Sequence, residues 1–232
     1  MINLRLLIPT LLVSLVCLGV MPAASAQPTA AFSKLLADGK IEVKTWLQPG
    51  DGIVVSQQVN LQIEVATQGW FSGGTQIGPL EIDGAVVLRR ERFAVNSSRR
   101  QGGMSWAVQL WSLTIYPQQS GVFEVPPIAL TLSIAGENNQ PIIGTVKTAA
   151  LSFEAAVPQE MQDKSHWLAT THFEVEESYD KDSSELAPGD SLQRTIRFKA
   201  RDVAAMMLPA LAFESMAGLA VYQKPAKIND TI

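Results

Sequence analysis

Residues 111–134, WSLTIYPQQSGVFEVPPIALTLSI, decide the fold class of this chain. An apolar run ends at Tyr116, Pro117-Gln118-Gln119-Ser120-Gly121 supplies turn chemistry, and a second run follows. In that second run Ile128, Leu130, Leu132 and Ile134 alternate with Ala129, Thr131 and Ser133. A period of two sends the four aliphatic side chains to one face of a sheet, so the stretch reads as strand, turn, strand. Pro126-Pro127 cannot donate to a ladder and belong at a strand start or on an edge.

The same pattern extends in both directions. Upstream, Val59, Leu61, Ile63 and Val65 alternate with Asn60, Gln62 and Glu64, the cleanest half-buried strand in the chain. Before it, residues 40–47 form a first β segment and Pro49-Gly50-Asp51-Gly52 a dense turn. Residues 69–79 are glycine-rich and read as a loop or edge carrying Trp70 and Phe71. Residues 85–95 return to β, 96–103 read as a turn, and 104–116 lead into the opening stretch. Downstream, residues 136–141 turn the chain, and Leu151, Phe153, Ala155 and Val157 mark a last strand. No window holds a 3.6-residue apolar period over a helical length, and residues 27–37 read as a short lead-in. About seven short β segments over roughly 120 residues describe an immunoglobulin-like β-sandwich spanning residues 38–157.

A polar linker, residues 158–165, precedes a second β unit, residues 166–232. Phe173 and Val175 begin that unit, and an acidic run to Glu185 reads as a solvated loop. After the turn at Pro188-Gly189, Ile196, Phe198 and Ala200 alternate with polar residues as another strand. Residues 208–213 and 219–222 supply two further strands. About four strands make half a sandwich with a bare edge, so the natural protein is expected to continue. The fold class is all-β: tandem immunoglobulin-like sandwiches, the second incomplete.

Composition narrows the function. A chain of 232 residues, 47% hydrophobic and 17% charged, buries one or two ordinary cores. A formal charge of −4 argues against nucleic acid as a partner. Residues 1–26 read as a signal peptide: Arg5, an apolar run over 6–20, and the small-residue site Ala24-Ser25-Ala26. An uncleaved anchor competes with that reading, but the run is short and Pro22 follows it. Cleavage removes Arg5 and leaves 17 basic against 22 acidic residues, a net −5. It also removes Cys17, the one cysteine, and with it disulfides, thiol catalysis and zinc–thiolate sites. Export without disulfides points to a bacterial envelope, where the sequons at Asn96 and Asn229 carry no meaning.

Each candidate for chemistry has a plainer competitor. Gly103-Met104-Ser105-Trp106-Ala107 nearly matches a nucleophile elbow, yet Ser105 runs into a strand and not a helix. His166 and His172, with Asp163 or Glu174, have metal-ligand chemistry, but Trp167-Leu168-Ala169 interrupts any shared polar face. Glu174, Glu176, Glu177, Asp180, Asp182 and Glu185 have calcium-ligand chemistry without the glycine and spacing of an EF-hand. Arg89, Arg90, Arg92, Arg99 and Arg100 suggest a basic patch for anionic headgroups or an acidic partner; edge-strand protection is the competing reading. Trp70, Phe71, Trp106 and Trp111 suggest a sugar-stacking surface, although aromatics in a small sandwich are usually core. No catalytic, cofactor-binding or metal-ligating residue is assigned, and no cofactor is expected.

Residues 113–128, LTIYPQQSGVFEVPPI, carry a family resemblance. Tyr116-Pro117, Gly121, Phe123 and Pro126-Pro127 resemble the signature of BatD-type oxygen-tolerance proteins of the bacterial aerotolerance operon. Residues 188–196, PGDSLQRTI, with Pro209-Ala210-Leu211 and Gly218-Leu219-Ala220-Val221-Tyr222, are similar to that family's next domain. The resemblance covers most of residues 38–228. It implies a periplasmic, non-enzymatic protein of tandem immunoglobulin-like domains, working with MoxR-type ATPase and von Willebrand factor A-domain partners at the inner membrane. A C-terminal membrane anchor belongs to the family and lies in the part this sequence lacks. A periplasmic carbohydrate-binding or adhesin-like module is the alternative.

Overall fold

The computed structural model describes residues 29–230, apart from residues 90, 138–139, 165–166, 209 and 215. Residues 1–26, expected as a signal peptide and containing Cys17, lie outside the described residues, as do Arg90 and His166. The chain is all-β in the main, with several antiparallel sheets, none closed, in a sandwich-type arrangement.

The first element differs from the expected lead-in. It is a two-turn helix, α1 (Ala30–Ala37), capped where the Thr29 hydroxyl accepts from the Phe32 N–H. Phe32, Leu35 and Leu36 have i, i+3, i+4 spacing, but eight residues are too few to show a sustained period. Phe32 is fully buried, and its ring lies on Gly144.

The large sheet contains β1 (Ile41–Gln48), β3 (Val59–Thr67), β7 (Met104–Pro117) and β5 (Ala85–Leu88) in that order, with β6 (Val95–Gln101) also on β7. Two three-stranded sheets complete the first unit. One orders β10 (Pro141–Lys147), β9 (Ala129–Ala135) and β4 (Gln76–Ile77). The other orders β2 (Ile53–Val54), β11 (Leu151–Ala156) and β8 (Gly121–Val125), the β2–β11 pairing being parallel.

One core joins all three sheets. Val59, Leu61, Ile63 and Val65 of β3 are wholly buried, with Leu61 opposite Leu113 and Ile63 opposite Trp111 on β7. From β9, Leu130 and Leu132 are wholly buried, with Ile128 and Ile134 nearly so. Each such side chain contributes about 1.5–3 kcal/mol as an upper estimate. Phe123 and Phe153 stack across β8 and β11 with centroids 5.0 Å apart.

The opening stretch does more than turn. β7 and β8 do not pair with each other; the turn carries the chain from the large sheet to the β2–β11–β8 sheet. The Gln118 N–H donates to the Gly84 carbonyl and the Ser56 N–H to the Pro117 carbonyl, which pins the crossing. Gly121 has φ of 135°, a conformation that favours glycine. Pro126-Pro127 then interrupt the chain between β8 and β9, which lie in different sheets.

Further sequence expectations are corrected. The β segment expected over 85–95 is strand only at Ala85–Leu88 and again from Val95, with Arg89 and residues 91–94 outside any strand. Residues 96–103 are not a turn: β6 occupies 95–101, and only Gly102-Gly103 turn the chain. The acidic run is not all loop, because Glu174, Glu176 and Glu177 lie in β12 (His172–Tyr179). Residues 219–222 and the described part of 208–213 contain no strand; a short 3₁₀ turn (Ala205–Met207) precedes them.

β12 pairs antiparallel with β13 (Arg194–Arg201) as a sharply two-faced hairpin. Phe173, Val175 and Tyr179 share one face with Ile196, Phe198 and Ala200, and the Glu177–Arg194 ion pair lies at one end of that face. His172, Glu174 and Glu176 share the other with Arg197, Lys199 and Arg201.

Candidate functional site

β5 and β6 lie along the same edge of β7, β5 opposite residues 114–117 and β6 opposite 104–110. Between them Arg89 and residues 91–94 lie outside any strand. That segment and residues 74–77 rim a cleft of about 530 Å³, with Gln109 and Trp111 of β7 at its base.

The base is rigidly held. Gln109 is buried, and its Oε1 accepts from the Thr75 N–H (3.1 Å) and the Thr75 hydroxyl (2.8 Å). A buried amide satisfied in this way ties the rim segment to the sheet. The Arg89 guanidinium lies 5.2 Å from the centroid of the Trp111 ring. Arg92 is exposed, and Phe93 at the lip is 81% exposed. Among the described residues the ion pairs use Arg99, Arg194, Arg197 and three lysines, and include neither Arg89 nor Arg92.

The four described arginines, Arg89, Arg92, Arg99 and Arg100, therefore do not act as one patch. Arg99 of β6 reaches across the large sheet to bridge Glu64 and Glu42, the latter at 2.6 Å, and covers the Trp106 ring at 5.7 Å. Its charge is spent within the fold. Arg100 is exposed at the β6–β7 hairpin, opposite Ser105.

The remaining sequence candidates are dispersed. Ser105 is the second residue of β7 and follows a tight strand-to-strand turn, not the strand-to-helix turn of an elbow. His172 and Glu174 sit on the charged face of the β12–β13 hairpin. Among the described residues, no group of three or more His, Cys, Asp or Glu is arranged to hold a metal ion. The acidic side chains of the hairpin face cations of β13. Glu176 accepts from Lys199 and Arg197, and Glu177 from Tyr179 and Arg194.

Those contacts shift the titrations. The hydrogen bond from Lys199, with help from Arg197, holds the Glu176 carboxyl below its ordinary range. The same bond raises Lys199. The Tyr179 hydroxyl, then Arg194, lowers Glu177, while Tyr179 itself is raised. Asp182 is lowered by the Ser184 N–H, then by the Ser184 hydroxyl.

The four aromatics do not form one exposed surface. Trp106 and Trp111 are buried, on opposite faces of β7, whereas Trp70 is 75% exposed and Phe71 half-buried. The sequence reading passed over Phe93, Gln109 and Thr75. A lone glutamine inside the apolar run 104–117 was the available signal. Among the described residues, no helix is long and apolar enough to cross a membrane. No protein-family model matches this chain, and no curated protein matches it, so the BatD resemblance rests on its quoted residues alone.

Proposed function

We propose that this chain is a non-enzymatic cell-envelope scaffold that binds partner proteins through its β surfaces. The observation that carries the reading is the two-faced β12–β13 hairpin. Phe173, Val175 and Tyr179 are 46%, 53% and 52% exposed on its apolar face. Neighbouring large apolar side chains left half in water mark a surface on which another protein layer packs. The opposite face is closed by the ion pairs of Glu174 and Glu176 with Arg197 and Lys199 and is suited to solvent.

The BatD-like residues agree with a scaffold. Pro117, Gly121 and Pro126-Pro127 shape sheet crossings and carry no reactive group. On this reading the protein is exported to the periplasm, works at the inner membrane, and acts in oxygen or stress tolerance. Its partners are then von Willebrand factor A-domain proteins and a MoxR-type ATPase system. Affinity capture of the natural full-length protein from bacterial membranes tests this. Recovery of either partner class is expected; repeated capture without both counts against the assignment.

A further inference from the structure

We propose that the cleft between residues 89–94 and residues 74–77 docks an extended acidic peptide segment of a partner protein, with an apolar side chain seated beside Phe93 and Trp111. This deepens the protein-interaction reading, and rests on it in taking the occupant to be a partner's segment.

Charge is the first argument. Arg89 and Arg92 line the cleft with no carboxylate in ion-pair range among the described residues, whereas Arg99 bridges Glu42 and Glu64. The whole chain is acidic, at −4, so an uncompensated pair of guanidiniums runs against the overall sign. Planar guanidiniums bind carboxylates by paired hydrogen bonds. Shape is the second argument. A volume of about 530 Å³ lies in the range of ligand clefts, and the Gln109–Thr75 bonds preform its base. The exposed Phe93 supplies an apolar contact between the cationic groups.

Backbone geometry selects a peptide. β4 is the last strand of its sheet, and its two residues, Gln76 and Ile77, line the cleft. An edge strand offers backbone donors and acceptors that an extended chain can pair with, as in strand addition. A lipid headgroup would leave that edge unused.

The test uses fluorescence anisotropy with the labelled peptide Glu-Val-Glu-Phe-Glu-Val-Glu and a control bearing Lys for every Glu. The protein is the whole chain, at about 20 mM and about 150 mM salt. Binding of the acidic peptide alone is expected, weaker at the higher salt. The double variant R89E/R92E should weaken it about tenfold or more. The double variant R100E/K147E carries the same charge change away from the cleft and should weaken it less than about threefold. Both should keep the wild-type circular dichroism spectrum and melting temperature, since Arg89 and Arg92 lie outside the strands and Arg100 and Lys147 are exposed near strand ends. No binding, or equal weakening by both variants, overturns the proposal. So does R89-dependent binding to phosphatidylglycerol vesicles without peptide binding. Peptide binding that persists when membrane capture finds no partner supports the cleft and removes only the envelope assignment. Partner capture without peptide binding overturns the cleft alone.

Discussion

Phe32 and Gly144 are expected to be energetically coupled, with a reversal of sign. The Phe32 ring rests so closely on Gly144 that a Cβ there would stand 2.1 Å from ring Cγ and 2.2 Å from Cδ1. In the native background Gly144→Ala forces ring and strand apart, and overpacking of this kind costs about 1–3 kcal/mol. Phe32→Ala removes a wholly buried ring, a loss of about 3 kcal/mol or more. A two-turn helix is not stable alone, so α1 undocks with the ring and caps the loss near that figure. Once the ring is gone, the three atoms nearest a methyl at 144 go with it. Alanine in a strand is favoured over glycine by about 0.5–1 kcal/mol. Gly144→Ala should therefore destabilise the native chain and stabilise the Phe32→Ala chain, a coupling of about 2–4 kcal/mol. Urea unfolding followed by circular dichroism measures all four corners of the cycle, and hydrogen exchange at the Asp38 and Gly39 amides reports α1 directly. Additive losses, or a neutral Gly144→Ala in the native background, would refute the contact.

Three further outcomes follow from the packing and the ion pairs. Leu132→Ala opens a cavity in the shared core, and a loss of about 2–5 kcal/mol in urea unfolding is expected. Arg99→Ala leaves Glu42 and Glu64 facing each other, with side chains 27% and 21% exposed; a loss of about 1–3 kcal/mol is expected, part of it recovered by adding Glu64→Gln. The third concerns pH. Glu176 and Glu177 are lowered in the folded state, so their stabilisation is complete above the unfolded value of about 4.3 and is lost as pH falls through the folded values. Lys199 is raised, so its stabilisation is complete below about 10.4 and lost as pH rises through its folded value. Amide exchange in β12 and β13, corrected for intrinsic rates, should quicken selectively below about pH 4, and added salt should flatten the change. An exchange pattern indifferent to pH would exclude a stabilising role for these pairs.

The sequence was legible wherever one face of a strand is buried and the other is wet. β3 and β9 have that form, and their alternation gave both the class and the facing residues. It misled where polar composition meets cross-strand pairing. Asn96, Ser97 and Ser98 have turn propensity, yet the long partner β7 draws them into β6. Glu174, Glu176 and Glu177 look like a solvated loop until Lys199 and Arg197 are placed opposite the first two and Arg194 within reach of the third. Helix α1 escaped because two turns hold too few apolar residues to establish a period. The cleft was only half legible: its arginines were conspicuous in sequence, but their separation from Arg99 depends on which face of β7 each approaches. Gln109 and Thr75 meet only through the sheet-to-sheet fold, 34 residues apart.

The central claim is that the apolar face of the β12–β13 hairpin belongs to a protein–protein contact in the cell envelope. Site-specific photo-crosslinking in intact cells tests it most directly, with benzoylphenylalanine replacing either Phe173 on the apolar face or Ser178 on the ion-paired face of the natural full-length protein. The account predicts a crosslink from position 173 to a von Willebrand factor A-domain protein or a MoxR-type ATPase, and none from 178. Equal crosslinking from both positions, or none from 173, would contradict it.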